Sequence, residues 1–214
     1  MARYTGPKEK IERRLGERLG IKGERGAGPK AAVVRRPYPP GQHGPSHRPR
    51  KVSEFGTQLK AKQKVRAMYR LTEAPLKRIV KDSLALRTST SPFVTVIRAL
   101  ESRLDNVVFR MGLAQSRDQA RQLVSHGHIT LNGKRAKTPS IHVRVGDVIG
   151  VVERSRALPY FATFAPRWFA KATPPTWLAV DKAAVTATVK AEPVPEESGV
   201  QTPDVQSIIE YYSR

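Results

Sequence analysis

Residues 103–133 read RLDNVVFRMGLAQSRDQARQLVSHGHITLNG, and this stretch decides the fold of the second half of the chain. Apolar side chains recur at three- and four-residue spacing over residues 93–111, which predicts one continuous helix there. The SRDQ sequence at 116–119 is a capping box that predicts the start of a second helix, which Gly127 ends. Asn-Gly at 132–133 predicts a two-residue hairpin turn between two strands.

Working outward from this stretch, the pattern predicts an α+β fold. Apolar alternation resumes after residue 140, so helix, helix, hairpin and strands form one compact module. Ahead of it, Ser53 and Thr72 are N-cap candidates for two further helices. We therefore predict a mostly helical N-terminal domain, a compact helix-helix-β-hairpin module and an extended basic N-terminal arm. The predicted divisions are 1–50 (the arm, with a short helix), 51–90 (the helical domain, on which the tail 191–214 docks), 91–155 (the module) and 156–190 (a mixed irregular and β extension).

Charge is the strongest compositional feature. The 214 residues include 39 Lys+Arg and 18 Asp+Glu, a formal net charge of +21. Residues 1–100 hold 24 basic and 7 acidic residues, whereas residues 151–214 hold 7 of each. Such an asymmetric positive field indicates nucleic acid or another polyanion as the partner. A membrane surface is the main competitor, but a basic amphipathic helix with exposed aromatic residues does not stand out.

Composition also excludes several classes of protein. The chain has no cysteine, so we expect no disulfide, thiolate zinc site, iron–sulfur cluster or cysteine nucleophile. No apolar run reaches the ~18–20 residues of a membrane span, and the first residues lack an apolar signal core, so a cytoplasmic location is expected.

Two polar stripes are predicted on the helices of the module, each opposite an apolar face. Arginine suits phosphate because its planar fork pairs bidentately and keeps its charge. Each residue alone is best interpreted as a solvated charge, but together they favour an RNA-binding surface. The stripes comprise Arg103, Asn106 and Arg110 on the first helix, and Arg117, Arg121 and Ser125 on the second. Because two helices joined by a short turn also resemble a helix-turn-helix, an architectural DNA-binding protein stays open.

An enzyme is not predicted. The glycine-rich segment 23–30 lacks Walker spacing, and its Pro29 removes a backbone N–H that a phosphate loop needs. His126 and His128 could form a metal pair, although RNA or structural hydrogen bonding fits two histidines at this spacing better. We therefore expect no catalytic residue, cofactor, metal or small-molecule substrate.

Residues 103–110 and 116–133 closely resemble the RNA-binding module named after ribosomal protein S-four. That module also occurs in rRNA pseudouridine synthases, in some tyrosyl-tRNA synthetases and in a small heat-shock RNA binder, so an RNA-modifying factor is a second alternative. The rest of the chain resembles the bacterial or organellar small-subunit ribosomal protein S-four family. The similar segments are MARYTGPK at 1–8, RRLG at 13–16, RPYPPGQHG at 36–44, QL at 58–59 with KQK at 62–64, and IIEYYSR at 208–214.

This resemblance implies a structural constituent of the small ribosomal subunit that binds the 5′ domain of small-subunit rRNA and nucleates assembly. It further implies contacts with the third and fifth proteins of that subunit, an influence on translational accuracy and a place on the path along which mRNA enters. Arg48, Arg50 and Lys51 match the family's basic cluster at the mRNA path. The residues expected to bind RNA are Arg3, Arg13, Arg14, Arg35, Arg36, Tyr38, Gln42, His43, Lys60, Lys62, Lys64, Arg66, Arg70, Arg103, Asn106, Arg110, Arg117, Arg121, His126, His128, Asn132, Lys134 and Arg135.

The chain departs from some family members in its N-terminal arm. Those members hold zinc there through four cysteines, whereas this chain has Glu9, Glu12, Gly26 and Ala31 at the matching positions. A carboxylate pair does not replace a tetrahedral thiolate set, so we expect the zinc-less form of the family. Residues 156–203 also follow the family weakly.

Overall fold

The computed structural model describes residues 4–46, 51–86 and 90–213, and these residues form an α+β chain, which confirms the predicted fold class. They divide into two compact units: unit 1 lies within Met1–Val96 and Val200–Arg214, and unit 2 is Ile97–Gly199. The finer division at residues 50, 90, 155 and 190 stays a prediction. Three residues expected to contact RNA, Arg3, Arg48 and Arg50, lie outside the described residues.

The elements follow in chain order. The α-helices are α1 (Lys8–Leu15), α2 (Glu24–Ala27), α3 (Ala32–Arg35), α4 (Glu54–Met68), α5 (Glu73–Ala85), α6 (Pro92–Glu101), α7 (Leu104–Arg110), α8 (Arg117–Ser125), α9 (Glu153–Arg156), α10 (Ala165–Phe169) and α11 (Thr202–Ser213). The strands are β1 (Ile129–Leu131), β2 (Lys134–Ala136), β3 (Val148–Val151), β4 (Leu178–Asp181) and β5 (Thr186–Val189). A π-helical turn spans Tyr160–Phe164 and a 3₁₀ turn spans Pro195–Ser198.

A buried carboxylate organises the start of unit 1. Glu12 is 1% exposed, and its Oε1 accepts hydrogen bonds from the backbone N–H groups of Leu19 (3.2 Å) and Ile21 (3.3 Å). This contact folds the chain back on α1, so that Leu15, Leu19 and Ile21 pack with Ala67 of α4. The arm therefore contains α2 and α3 in addition to the one short helix that the sequence predicted. The Glu12 carboxylate thus orders a segment whose glycine-rich composition predicts little regular structure.

Glu12→Ala is expected to lower the free energy of unfolding of unit 1 by about 1–3 kcal/mol, because two buried N–H donors lose their acceptor. Urea denaturation followed by far-ultraviolet circular dichroism measures this loss. Glu24→Ala, at an exposed acid, is the control and should change stability little. Equal stability of the two variants would show that the Glu12 carboxylate does not hold the turn.

Helices α4, α5 and α11 form the rest of unit 1. Ser53 caps α4 as predicted, with its Oγ accepting from the Gly56 N–H at 3.2 Å. Helix α11 packs on α4 and α5, and it buries Val205 and Ile208. Helix α11 is thus part of the hydrophobic core of unit 1.

Unit 2 is built on a five-stranded antiparallel sheet in the order β2-β1-β3-β5-β4. The predicted hairpin is confirmed: Ile129 pairs with Ala136 and Leu131 with Lys134 across the turn. Asn132 (φ 50°) and Gly133 (φ 76°) both adopt the left-handed conformation that this tight turn requires. Helices α7 and α8 pack on each other, and their apolar faces join the core of the sheet around Ile129, Ile149 and Trp177.

The prediction of one helix over residues 93–111 is wrong. The chain leaves the helix after Glu101, and Arg103 adopts an extended conformation (φ −66°, ψ 135°) as the N-cap of α7. The cause is a pairing with a distant segment: the Leu104 N–H donates to the Ile141 carbonyl at 2.8 Å, and the Val143 N–H donates to the Ser102 carbonyl at 2.8 Å. Such non-local hydrogen bonds have no trace in helical periodicity.

Candidate nucleic-acid interface

Helix α8 carries two of the predicted RNA-binding arginines of unit 2, Arg117 and Arg121. Ser116 caps it as predicted, its Oγ accepting from the Gln119 N–H at 3.4 Å. Ala120 and Val124 face the core with 0% exposure, while Arg117 and Arg121 lie one turn apart on another face, with side chains 10% and 12% exposed. Each guanidinium is held by groups of the preceding α6–α7 segment.

The first of these holding groups is Asp105, which is 5% exposed. Arg103 donates to it twice, from Nε to Oδ1 at 3.1 Å and from a terminal nitrogen to Oδ2 at 2.9 Å. Arg121 donates to the same Oδ2 at 3.4 Å. Because Arg103 is itself only 4% exposed, its contribution is an internal fork-to-carboxylate pair rather than an outward charge.

The second holding group is Glu101, which is 1% exposed. Arg110 donates to both of its oxygens at 2.8 Å, and the Asn106 amide donates to Oε2 at 2.8 Å. Asn106 in turn accepts from Arg117 Nε at 2.7 Å, and a terminal nitrogen of Arg117 lies 3.9 Å from Glu101 Oε1. The polar residues that the sequence put on separate stripes are therefore connected through two acids. We call this group the arginine–carboxylate cluster: Glu101, Arg103, Asp105, Asn106, Arg110, Arg117 and Arg121.

The hairpin adds further donors beside α8. Lys134 and Arg135 are exposed, and Arg135 donates to the Gly127 carbonyl at 2.6 Å and to the His126 carbonyl at 3.0 Å. These bonds join the hairpin to the end of α8. Asn132 is exposed and closes the turn, donating to Asp147 at 2.8 Å. His126 and Arg135 thus lie at one helix–hairpin corner, with Lys134 next to Arg135 in β2, whereas Asn132 is held at the turn by its bond to Asp147.

His128 is half-buried, and its Nδ1 lies 3.0 Å from Ser155 Oγ. Burial lowers the pKa of His128, and the nearby charges of His126 and Arg135 lower it further. The neutral form of the ring is thereby favoured, and its hydrogen bond to Ser155 gives it a structural partner within unit 2.

In unit 1, some of the predicted residues of the arm line a largely cationic cavity of about 220 Å³, whose lining also includes Glu9. Arg13 lies on one side, fixed by donation to the Tyr38 and Pro39 carbonyls at 3.2 Å each and by stacking 4.9 Å from the centre of the Tyr38 ring. Arg35 and Arg36 also line the cavity, as do residues that the sequence did not single out: Lys10, Arg25 and Lys30. Arg14, Gln42 and His43 are exposed elsewhere on the arm.

The lysines of α4 divide into outward and inward groups. Lys60 is exposed, whereas Lys62 is 6% exposed and donates to Glu73 at 2.8 Å, with its ammonium 4.1 Å from the centre of the Tyr211 ring. Lys64 contacts Glu17 at 2.6 Å and Asp204 at 2.7 Å. Lys62 and Lys64 therefore fasten α11 to α4 through Tyr211 and Asp204, a role that the sequence could not reveal because these two partners lie more than a hundred positions away.

The Lys62–Glu73 contact makes the stability of unit 1 dependent on pH. Burial raises the pKa of Glu73, but hydrogen bonds from Lys62 and Tyr212 outweigh it and bring the pKa below its ordinary value of 4.5. A lowered carboxyl pKa contributes stability above the unfolded value, and this is lost as the pH falls through the folded value. We expect urea denaturation to show a fall in stability below about pH 4.5 that Glu73→Gln reduces and that Glu24→Gln, at an exposed acid, leaves unchanged. An identical acid profile for wild type and Glu73→Gln would contradict this.

Arg70 follows α4 in a left-handed conformation (φ 56°) that favours glycine. The Leu71 N–H donates to the Arg66 carbonyl at 3.0 Å, as in a Schellman motif. The Arg70 guanidinium reaches back to the Tyr4 carbonyl at 3.0 Å and lines a cavity of about 390 Å³ with Arg14 and Arg66.

Arg70→Gly is expected to raise the free energy of unfolding by about 0.5–1 kcal/mol, because the left-handed strain disappears, while RNA affinity falls because a cation of the cavity is lost. Urea denaturation and RNA titration measure the two effects. Arg78→Ala removes an exposed charge from α5 without relieving strain, so it controls for charge alone. If Arg70→Gly were less stable than wild type, the contacts of the Arg70 side chain would contribute more free energy than the left-handed backbone costs.

Within residues 4–46, 51–86 and 90–213, no group of three or more His, Cys, Asp or Glu side chains is arranged to hold a metal ion. Among those same residues, none of the helices combines the length and apolar character needed to cross a membrane.

Family models match most of the chain. The model described as "S4 domain" matches residues 102–149, and the model described as "Ribosomal protein S4/S9 N-terminal domain" matches residues 3–101. The first match covers α7, α8 and the hairpin, which carry the neighbouring donors and, apart from Glu101, the arginine–carboxylate cluster.

Curated relatives match over the whole length. The small ribosomal subunit protein uS4 of Kosmotoga olearia is 46% identical over 214 residues, with 100% of both chains covered. Proteins of the same name from Roseiflexus castenholzii and Desulfitobacterium hafniense are 44% identical over 217 residues and 45% identical over 215 residues, again with 100% of both chains covered.

The fold, the arginine–carboxylate cluster and the domain match together define the class of protein: it has an S4 RNA-binding domain. The chain belongs to the small ribosomal subunit protein uS4 family, a structural and non-enzymatic family of ribosomal proteins. The family predicted from residues 103–133 and the flanking segments is thereby confirmed, in a chain without cysteine.

Proposed function

We propose that this protein is a primary rRNA-binding component of the small ribosomal subunit that binds the 5′ domain of its rRNA and nucleates assembly. The observation that carries the proposal is helix α8 with the hairpin tied to its end: Arg117 and Arg121 lie on α8, and Arg135, beside the exposed Lys134, donates to the carbonyls of His126 and Gly127. The net positive charge of residues 1–100 supports a second, separate set of phosphate contacts in unit 1.

Phosphate recognition fits α8 better than base reading in duplex DNA. A recognition helix inserts outward side chains into the major groove. Here Arg117 and Arg121 are tethered to Asn106 and Asp105, with side chains 10% and 12% exposed, so they do not project outward as base-reading side chains do. RNA shape recognition through phosphates and 2′-hydroxyls needs fixed donors on a surface, which the corner provides. The full-length match to uS4 relatives likewise disfavours an RNA-modifying factor.

Binding to a 5′-domain rRNA fragment is expected to be steeply salt-dependent. If about 6–10 phosphates are neutralised, affinity should fall by about 10³–10⁵ between 50 and 200 mM salt. Filter binding at a series of salt concentrations measures the slope. An affinity that is nearly independent of salt would remove phosphate contacts as the source of binding.

We further propose contacts with the third and fifth proteins of the small subunit and an influence on translational accuracy. Both proposals rest on the family resemblance. They require the protein to act within assembled small subunits, in the cytoplasm. Reconstitution of the subunit without this protein tests them, because the third and fifth proteins should then incorporate poorly. Normal incorporation would argue against both contacts.

A role on the mRNA path is proposed for Arg48, Arg50 and Lys51. Lys51 is exposed immediately before α4, as a residue facing mRNA must be. Lys51→Ala should reduce crosslinking of this protein to mRNA bound in the subunit while leaving binding to the 5′-domain fragment unchanged. A reduction in both would instead assign Lys51 to rRNA.

A further inference from the structure

We infer that Glu101 and Asp105 are positioning residues for RNA binding: they fix the guanidinium groups of Arg117 and Arg121 in the orientation that receives phosphate. This inference rests on the proposed rRNA-binding function and assigns a role to two acids inside a basic surface. Neither acid was identified from the sequence, where acidic residues near phosphate contacts indicate repulsion.

The geometry indicates that the four arginines of the cluster form two pairs with different roles. Arg103 and Arg110 each form a two-bond fork with one acid, at distances from 2.8 to 3.1 Å. These two arginines satisfy the buried carboxylates. Arg121 makes a longer contact of 3.4 Å with Asp105, and Arg117 lies 3.9 Å from Glu101 and is oriented through Asn106. The α8 arginines are therefore secondary partners whose direction is set by acids that are already paired.

Stability alone does not explain why the acids are buried. Glu101 and Asp105 are 1% and 5% exposed, and burying a carboxylate costs desolvation that apolar residues of similar volume avoid. An apolar pair could close the α6–α7 junction, but it could not orient a guanidinium. A guanidinium has five N–H donors in a rigid fork, so a carboxylate behind it can set the plane in which it meets a phosphate.

Orientation has a measurable benefit. A long arginine side chain loses rotamer freedom when it binds phosphate, and one that is already held loses less. We expect this to be worth about three- to tenfold in affinity for each arginine.

The sign of the effect distinguishes positioning from simple electrostatics. Replacing Asp105 with asparagine removes a negative charge close to the RNA, so Coulomb's law alone predicts tighter binding. If Asp105 positions Arg121, Asp105→Asn should instead bind the 5′-domain fragment about three- to tenfold more weakly. Glu101→Gln should weaken binding to the same extent if Glu101 positions Arg117. Glu153→Gln, at an exposed acid of α9, is the matched control and should bind as tightly as wild type or slightly more tightly.

A second pair of variants covers the case in which Asp105→Asn or Glu101→Gln does not fold, as judged by circular dichroism. Arg121→Lys keeps the charge but loses the fork, so it should weaken binding about three- to tenfold if orientation matters. Arg144→Lys makes the same change at an exposed arginine of unit 2 and should have little effect.

All variants are titrated as full-length protein in one filter-binding series beside wild type. Weaker binding of folded Asp105→Asn, Glu101→Gln and Arg121→Lys, with both controls unchanged, supports positioning. Binding by the folded acid variants that equals or exceeds wild type overturns it, as does Arg121→Lys binding like Arg144→Lys. Failure of wild type to bind the fragment would instead refute the proposed function.

Discussion

Glu101→Ala is expected to lower the free energy of unfolding of unit 2 by about 3–5 kcal/mol, the typical cost of removing one partner of a buried ion pair. Glu101 accepts two hydrogen bonds from Arg110 and one from the Asn106 amide, and it is 1% exposed. Without it, Arg110 loses both of these charge-assisted bonds, and the junction between α6 and α7 loses a buried polar partner. Urea denaturation followed by tryptophan fluorescence reports on this unit, because Trp168 and Trp177 both lie in it.

Glu153→Ala is the control for this prediction, since Glu153 is an exposed acid of the same unit. It should change the free energy of unfolding by no more than about 0.5 kcal/mol. If Glu101→Ala were equally mild, the carboxylate would be dispensable for folding, and the arginine–carboxylate cluster would lose its structural role.

The second large effect concerns RNA affinity. The double variant Arg117→Ala/Arg121→Ala should bind the 5′-domain fragment about 100-fold more weakly or worse, because each charge-assisted contact to phosphate contributes about 1.5–3 kcal/mol. The slope of log affinity against log salt should also become shallower by about two phosphate contacts. Filter binding over a salt series gives both quantities.

A matched double variant separates local contacts from net charge. Arg154→Ala/Lys171→Ala removes two exposed cations from unit 2 outside α8 and the hairpin. It should reduce affinity only slightly. If both double variants lost affinity equally, the general positive field of the protein would account for binding, and α8 would have no special part.

Arg103 has a different expected role from these two. The sequence predicted an outward arginine whose loss weakens binding without unfolding. The structure places Arg103 at 4% exposure in a two-bond pair with Asp105, so Arg103→Ala should destabilise unit 2 by leaving that carboxylate underpaired.

Local sequence signals predicted most features that depend on nearby residues, although Thr72 stands at the N-cap of α5 without a capping side-chain hydrogen bond. Ser53 and Ser116 cap α4 and α8 through their own hydroxyl groups, and Asn132 and Gly133 form the hairpin turn. Each of these rests on contacts within four residues. Periodicity also identified the buried face of α8 correctly, because that face is set by the helix itself.

The sequence could not predict features that depend on distant partners. The break between α6 and α7 comes from pairing with residues 139–143, which no helical pattern encodes. Lys62 resembles an RNA-binding lysine in sequence, yet it donates to Glu73 and stacks on Tyr211 of α11. In a chain with 39 basic residues, only three-dimensional contacts separate cations that hold the fold from cations that face a partner.

The most direct test of the account is competition between nucleic acids for the wild-type protein. A labelled 5′-domain rRNA fragment is bound at moderate salt, and unlabelled fragment or duplex DNA of equal phosphate concentration is added. A fixed surface for RNA phosphates predicts that the fragment displaces the label and that duplex DNA does not. Equal displacement by both polymers would contradict the central claim, because it would reduce the protein to a general binder of polyanions.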